Sequence, residues 1–278
     1  MHYTKMHGAG NSFLIFEDLR GELRGEDLSV LALRACDPAT GPGADGMIVL
    51  VPGGPEESFG MLFYNADGSS GEMCGNGARC VARYGLEHGL CPDPQDIRFR
   101  AAAGLIRARR IDAERYEVRL PDPSAVDLAR EVRGFACSYV ELGCPGLPHA
   151  VVEVEEAAFA DLGALRELGR ALRHDPAFPK GANVSFACLT GERSVRALTF
   201  ERGVEDFTPA CGTGCGAIAV SLILRGRIPG DQVEIEMPGG LLSVRLRREG
   251  RRVRDLLLTG PTALVEEGEL FPPPALSA

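Results

Sequence analysis

Two cysteines lie in matching glycine-rich contexts half a chain apart. Cys74 stands in the segment Glu72–Gly77 (EMCGNG), and Cys211 stands in Pro209–Gly214 (PACGTG). Thiols placed alike in two repeated segments could act as a pair, one taking a proton from one face of a carbon and the other returning a proton to the opposite face. The pair therefore predicts an amino-acid epimerase that needs no cofactor.

Each cysteine precedes a run of residues with helical character, which places it at a predicted helix N-terminus. The unpaired N–H groups and the positive end of the helix dipole there lower a thiol pKa. The same N–H groups can bind a carboxylate, and the following glycines let a ligand approach the backbone closely. A buried, inert core thiol is the alternative interpretation for either cysteine taken alone.

The resemblance between the two segments extends along the chain. An offset of 137 residues places Gly75 on Gly212 and Gly77 on Gly214, and GAD at 43–45 resembles GAN at 181–183. A duplicated unit explains this order and spacing. We predict a first half over 1–120 that carries Cys74 and a second half over 121–278 that carries Cys211. The last strand or tail is expected to pack back on the first half, and PDPS at 121–124 is the predicted linker.

The predicted fold class is α/β (α+β), with two pseudo-symmetric domains. Each is expected to be a curved, mainly antiparallel sheet wrapped around a central helix, with the active site at the domain interface. The apolar run 215–224 predicts a core helix, whereas 28–35 and 164–172 predict amphipathic surface helices. Strands are predicted at 11–16, 47–51, 59–64, 97–101, 116–120, 139–142, 150–154, 184–189, 195–200, 233–236 and 241–246.

Composition excludes several classes of protein. The net charge of −9 argues against a nucleic-acid partner, and no apolar run approaches the roughly 20 residues that span a bilayer. The polar first thirteen residues predict no secretory signal, and an odd count of nine cysteines favours a reducing cytoplasm. The tail from Phe271 onward is predicted to be a loose arm.

Two alternative interpretations involve a cofactor or a metal. A pyridoxal phosphate enzyme needs a Schiff-base lysine, but the chain has only Lys5 and Lys180, without a phosphate-binding loop beside either. A structural zinc site could use Cys74 with Cys80 and Cys211 with Cys215, although neither spacing is that of a zinc ribbon. We therefore expect no cofactor and no metal.

Several further motifs carry a resemblance to a known family. They are HGAGNSF at 7–13, NADGS at 65–69, PH at 148–149, GANV at 181–184 and ERG at 201–203. Together with the two cysteine segments, they make the chain resemble the diaminopimelate epimerases from near residue 1 to beyond residue 260. The resemblance implies two pseudo-symmetric α/β domains that interconvert LL- and meso-diaminopimelate, in the route to lysine and peptidoglycan.

The resemblance also implies roles for individual residues. Cys74 and Cys211 become the catalytic acid/base pair. The residues that match substrate-holding positions are Asn11, Asn65, Asn183, Glu201 and Arg202. Those that match the carboxylate-binding amides are Gly75, Asn76, Gly212 and Thr213. The residues that match positions tuning the thiol pKa values are His149 and Glu201. The expected partner is the small-molecule substrate, and no nucleic acid or membrane partner is expected. A homodimer is a possible oligomeric state.

The chain departs from the family pattern at several positions. Ser12 replaces an Asp, Leu147 precedes Pro148 where many members have an Asn, and the segment 144–146 is altered. Pro209 and Cys215 replace residues that are commonly Leu and Ala. These changes leave open a racemase of the same fold for another amino acid, such as histidine or glutamate, and a non-catalytic binding protein. Asp45 and Asp67 are interpreted as turn or structural residues.

Overall fold

The computed structural model describes residues 1–23, 25–71, 73–250 and 252–271. Its contacts divide the chain into two compact units. The first contains Met1–Tyr116 and the chain from Thr262 onward, and the second contains Glu117–Pro261. The identification of these units as two epimerase halves stays a prediction. The predicted loose arm lies outside the described residues from 272 onward.

The first unit is a mainly antiparallel sheet with two helices. Its strands are β1 (His2–Gly8), β2 (Asn11–Glu17), β3 (Gly46–Pro52), β4 (Phe59–Asn65), β5 (Ser70–Gly71), β6 (Ile97–Ala101), β7 (Gly104–Arg110) and β17 (Ala263–Glu269); its helices are α1 (Leu28–Cys36) and α2 (Gly75–Glu87). The strands pair in the order β17-β1-β2-β3-β4-β6-β7, parallel at β2/β3 and β4/β6 and antiparallel elsewhere.

The second unit repeats this plan. Its strands are β8 (Arg115–Arg119, which begins in the first unit), β9 (Pro123–Val132), β10 (Phe135–Leu142), β11 (Leu147–Glu153), β12 (Asn183–Leu189), β13 (Ser194–Phe200), β14 (Gln232–Met237), β15 (Gly240–Glu249) and β16 (Arg252–Pro261); its helices are α3 (Leu162–Arg173) and α4 (Gly212–Leu224), with a 3-10 helix at Glu156–Ala160. The order is β9-β10-β11-β12-β13-β14-β15-β16, with parallel pairs at β11/β12 and β13/β14.

The seven strands of the first pairing order match the first seven strands of the second, in order and in parallel or antiparallel sense. Phe13 faces Gly46 across the first parallel pair of one unit, and His149 faces Asn183 across the corresponding pair of the other. The place of β9 in the second unit is taken in the first by β17, the last strand among the described residues, which pairs with β1. This pairing is why the segment after Thr262 belongs to the first unit.

Each sheet packs around one central helix. α4 contacts β10, β11, β12, β14, β15 and β16, and it is buried almost throughout because its residues are apolar or small on every side. α2 occupies the same place in its own unit, against β1, β2, β6 and β7. The predicted mixed α+β class is confirmed, and the predicted core helix begins earlier than expected, at Gly212.

The other two helices cover the opposite sheet faces. In β3, Met47 and Val49 pack with α1, while Ile48 approaches Gly77 of α2. Strands buried on both faces read as continuous apolar runs, as β3 does. α1 and α3 are N-capped by Asp27 and Asp161, whose carboxylates accept hydrogen bonds from N–H groups in the first turn of each helix. In the part of the chain described, no helix is long and apolar enough to cross a bilayer.

Candidate active site

Cys74 is the N-cap residue of α2. Its backbone is extended, with φ −123° and ψ 119°, and its side chain is partly exposed. The Sγ atom donates to Asn11 Oδ1 at 3.6 Å, and Asn76 Nδ2 donates to the same oxygen at 3.3 Å. The structure thus brings three sequence-predicted residues together at the first turn of the helix. Glu72, the first residue of the EMCGNG segment, lies outside the described residues.

A buried arginine fixes this first turn. Arg79 has 0% of its surface exposed, and its Nη1 donates to Gly75 O at 3.2 Å while its Nη2 donates to Asn76 Oδ1 at 2.9 Å. Because a guanidinium only donates, Asn76 must turn its oxygen toward Arg79 and its Nδ2 toward Asn11. Arg79 was not predicted from the sequence. It could have been noticed as a charged residue one turn into α2, a helix that the repeat aligns with the buried core helix α4.

A close backbone approach holds Asn11 beside α2. A Cβ on Gly8 would lie 2.8 Å from the backbone oxygen of Asn76, so only glycine fits where β1 meets the helix. Ala9 and Gly10 then take positive φ values of 51° and 80°, and this turn delivers Asn11 to the start of β2.

The two acidic residues interpreted as turn or structural residues each accept hydrogen bonds from a serine. Asp45 accepts from the Ser12 N–H at 2.7 Å and from the Ser12 hydroxyl at 2.9 Å. Asp67 accepts from the Ser69 N–H at 2.9 Å and from its hydroxyl at 2.5 Å. Asn65, at the end of β4, donates through Nδ2 to the Ser69 Oγ at 2.9 Å.

Cys211 is the N-cap of α4 and has a different environment from Cys74. It is 5% exposed, and its Sγ accepts from the Gly214 N–H at 3.3 Å and lies 3.7 Å from the Thr213 hydroxyl. Burial, followed by the negative charge of Glu201, raises the pKa of Cys211 well above its usual value. The two hydrogen bonds oppose this rise without overcoming it.

Glu201 directly follows β13 and contacts Cys211. Its Oε1 accepts from the Thr208 hydroxyl at 2.5 Å. Burial raises the pKa of the Glu201 carboxyl, while hydrogen bonds from Thr208 and Cys211 lower it. Sequence reasoning found Glu201 but not Thr208, because only the folded loop brings the two side chains together.

Asn183, Arg202 and His149 form a second cluster in the same unit. Asn183 Oδ1 accepts from the Arg202 N–H at 2.8 Å, and its Nδ2 donates to Pro148 O at 3.4 Å. The Arg202 side chain is exposed and donates through Nη1 to Lys180 O at 3.1 Å. The guanidinium is therefore accessible to an anionic ligand.

His149 is fully buried on β11, with 0% exposure. Neither of its ring nitrogens has a hydrogen-bond partner within the described ranges. Burial, reinforced by the charge of Arg202, lowers its pKa to about 3. At neutral pH the ring is therefore uncharged, so any influence on a thiol comes from a neutral imidazole.

The altered segment before His149 lies at the surface. Cys144 is an exposed thiol, joined to Pro145 by a cis peptide bond, and Leu147 begins β11. All nine cysteines are free thiols. Over residues 1–271, leaving aside the undescribed positions 24, 72 and 251, no group of three or more His, Cys, Asp or Glu side chains is arranged to hold a metal ion.

Comparisons with solved structures agree on the fold. A phenazine biosynthesis protein of the PhzF family from Bacillus anthracis superposes with a TM-score of 0.74 at 14% identity, covering 98% of this chain and 99% of that chain. A probable proline racemase from Agrobacterium radiobacter superposes with a TM-score of 0.69 at 18% identity, covering 99% and 94%. At these identities, the likeness concerns the fold alone.

Sequence comparison identifies the family. The family model described as diaminopimelate epimerase matches residues 3–121 and 144–265. The protein named diaminopimelate epimerase from Hydrogenobaculum sp. is 35% identical, over 97% of this chain and 98% of its own. That of Xanthomonas campestris is 36% identical, over 97% and 96%. These matches confirm the resemblance in the motifs, and the chain belongs to the diaminopimelate epimerase family.

Proposed function

We propose that this protein is a diaminopimelate epimerase, an isomerase that interconverts LL- and meso-2,6-diaminopimelate without a cofactor, in lysine and peptidoglycan precursor synthesis. The observation that carries the proposal is the placement of Cys74 and Cys211 as N-caps of equivalent helices in two repeated units. A chain of this family that retains both thiols in that position has the groups that two-base proton transfer requires.

The proposed reaction uses one thiolate and one thiol. The thiolate takes the α-proton, the C–H electron pair stays on the substrate as a carbanion, and the other thiol gives its proton to the opposite face. At the end of the reaction, the sulfur that began as the thiolate is a thiol, and the other sulfur is the thiolate. The N–H groups that bind the reacting carboxylate and stabilise its developing charge are those of Gly75, Asn76, Gly212 and Thr213.

The remaining roles concern substrate recognition. Arg202 offers an accessible guanidinium for the distal carboxylate, and the side chains assigned to the rest of the substrate are Asn11, Asn65, Asn183 and Glu201. Glu201 also acts on Cys211 directly, by charge and hydrogen bond. His149 acts as a neutral ring beside these groups.

The test is α-proton exchange followed by NMR in D2O, with reduced, metal-free enzyme and LL-diaminopimelate. Exchange with formation of the meso isomer is expected for the wild type and should be absent in Cys74→Ala and Cys211→Ala. Folded, reduced wild type that exchanges histidine or glutamate instead of diaminopimelate would overturn the substrate assignment. A single cysteine variant that still racemises would overturn the two-thiol mechanism.

A cytoplasmic location is part of the proposal, since nine free thiols fit a reducing compartment. A homodimer is the proposed assembly. Analytical ultracentrifugation of the reduced protein tests it, and a sedimentation coefficient for a 29.7 kDa monomer at micromolar concentration would contradict it.

A further inference from the structure

The loop between β13 and α4 connects Glu201 to a hydroxyl. The Glu201 N–H donates to Asp206 O at 3.0 Å, the Glu205 N–H donates to Glu201 O at 2.8 Å, and the Thr208 N–H donates to Thr199 O at 3.3 Å. These backbone bonds close a compact loop that places the Thr208 hydroxyl on Glu201 Oε1 at 2.5 Å. The carboxylate is therefore held from within its own loop.

The first unit has a related arrangement at the equivalent place, in which the hydroxyl accepts instead of donating. There the Asn65 N–H donates to Ser69 O at 2.8 Å and the Gly68 N–H donates to Asn65 O at 3.0 Å. The Asn65 side chain is then bonded to the Ser69 hydroxyl at 2.9 Å. Two loops of different sequence and length thus place a hydroxyl beside the polar side chain at the end of β4 and beside the one directly after β13.

We propose that Thr208 is a positioning residue for Glu201, and that Ser69 is its counterpart for Asn65. The inference rests on the proposed function, in which Glu201 and Asn65 face the substrate. A hydroxyl that donates to a carboxylate stabilises the ionised form. It also leaves the rest of the Glu201 carboxylate available to Cys211.

The cationic side chains around the loop pair with its other carboxylates, so the hydroxyl hydrogen bond to Glu201 comes from Thr208. Asp206 pairs with Arg166 at 2.6 Å, and Glu205 pairs with Arg173 and His174, each at 3.1 Å. These partners all come from α3 or its C-terminal end, so they satisfy the loop's other carboxylates. Cys211, at the start of α4, is the titratable group that faces Glu201, and it is not a cation.

The first readout is the titration of Glu201 itself, which requires no substrate. In protein labelled with 13C at the glutamate carboxyl, the Glu201 signal is assigned by its loss in Glu201→Gln. Thr208→Val keeps the shape of the side chain but removes the donor, so the Glu201 midpoint should rise by about 0.5–1.5 pH units. Thr208→Ser restores the donor and should stay within about 0.3 units of wild type.

Thr259→Val is the matched control. The Thr259 hydroxyl also donates to a carboxylate of the same unit, Glu117 Oε2 at 3.3 Å, and its removal should leave the Glu201 midpoint unchanged. An unshifted Glu201 midpoint in folded Thr208→Val, or an equal shift in Thr259→Val, would overturn the proposal. If Thr208→Val does not fold, Thr208→Ala gives the same measurement.

The second readout is the pH dependence of kcat/KM for epimerisation. Thr208→Val should move the acidic limb to higher pH by the shift seen in the titration, and in a Glu201→Gln background it should change the profile no further. An acidic limb that stays in place although the Glu201 midpoint moves would show that Thr208 does not act through Glu201. Wild type without epimerase activity would refute the proposed function, while the titration would still decide the role of Thr208.

Discussion

Replacing Glu201 by Gln should lower the pKa of Cys211 by about one to two units. The Glu201 charge is the second cause of the raised Cys211 pKa, after burial. Two unit charges about 4 Å apart interact by about 1 kcal/mol in water and about 4 kcal/mol at an effective dielectric constant of about 20. Because Glu201 is only partly buried, the lower half of this energy range applies. One pKa unit corresponds to about 1.4 kcal/mol, so this energy corresponds to about one to two pKa units.

The assay is the rate of iodoacetamide alkylation as a function of pH, read at each cysteine by peptide mapping. Mapping separates buried Cys211 from the exposed Cys144. Glu205→Gln is the matched control, because that carboxylate lies on the same loop and pairs with Arg173 and His174 instead. The Cys211 midpoint should fall in Glu201→Gln and stay above the ordinary cysteine pKa, since burial remains. A midpoint that is unchanged, or that falls equally in Glu205→Gln, would refute the reasoning.

Three further substitutions test the packing around the candidate site. Gly8→Ala should displace α2 and reduce kcat at least about tenfold, since the new Cβ would meet the Asn76 backbone oxygen at 2.8 Å; a kcat equal to wild type would contradict this. Arg79→Met should lower the free energy of unfolding by about 2–4 kcal/mol in urea, because buried acceptors lose their donor. Arg115→Met removes an exposed ion pair with Asp112 and should cost less than about 1 kcal/mol. The pKa of His149 is about 3 in the folded protein and 6.5 in the unfolded chain. The neutral ring's contribution to the free energy of unfolding is therefore complete above pH 6.5 and decreases as the pH falls, by about 2 kcal/mol at pH 5. His149→Gln should abolish this part of the acid sensitivity, and an equal loss of stability in both proteins would disprove the prediction.

Local sequence patterns predicted the elements whose burial is continuous. The core helix α4 and the strands β3 and β12 are apolar runs, and their positions agree with the structure to within three residues. The strands that were missed are those with polar exposed faces. β7 (GLIRARR) and β16 (RVRDLLLTGP) bury only about every second residue. The arginines between the buried residues make the alternation of apolar and polar side chains hard to recognise in the sequence. β9 begins at Pro123, within the predicted linker, because proline is tolerated at the first residue of a strand.

Residue types also predicted which side chains stand at the helix N-termini, but not what holds them. The Cys-Gly-x-Gly spacing placed Cys74 and Cys211 correctly as N-caps, since that geometry is local. Arg79 and Thr208 were missed because their partners are chosen by tertiary contacts, which no spacing rule encodes. The last strand was expected to pack back on the first half, and β17 pairs with β1 in a register that no local pattern specifies.

The repeated architecture does not make the two thiols equal. Both sit at the same backbone position, so both receive the same favourable helix N-terminus. Cys74 is partly exposed and faces the neutral amide of Asn11, whereas Cys211 is buried against the carboxylate of Glu201. The two units place their cysteines at equivalent backbone positions, and the side chains around each cysteine set its tendency to ionise. In substrate-free wild type, Cys211 should therefore resist alkylation until well above the usual cysteine pH range, and Glu201→Gln should lower the pH at which it reacts. Rapid alkylation of wild-type Cys211 at neutral pH would mean that burial and the Glu201 charge do not control this thiol.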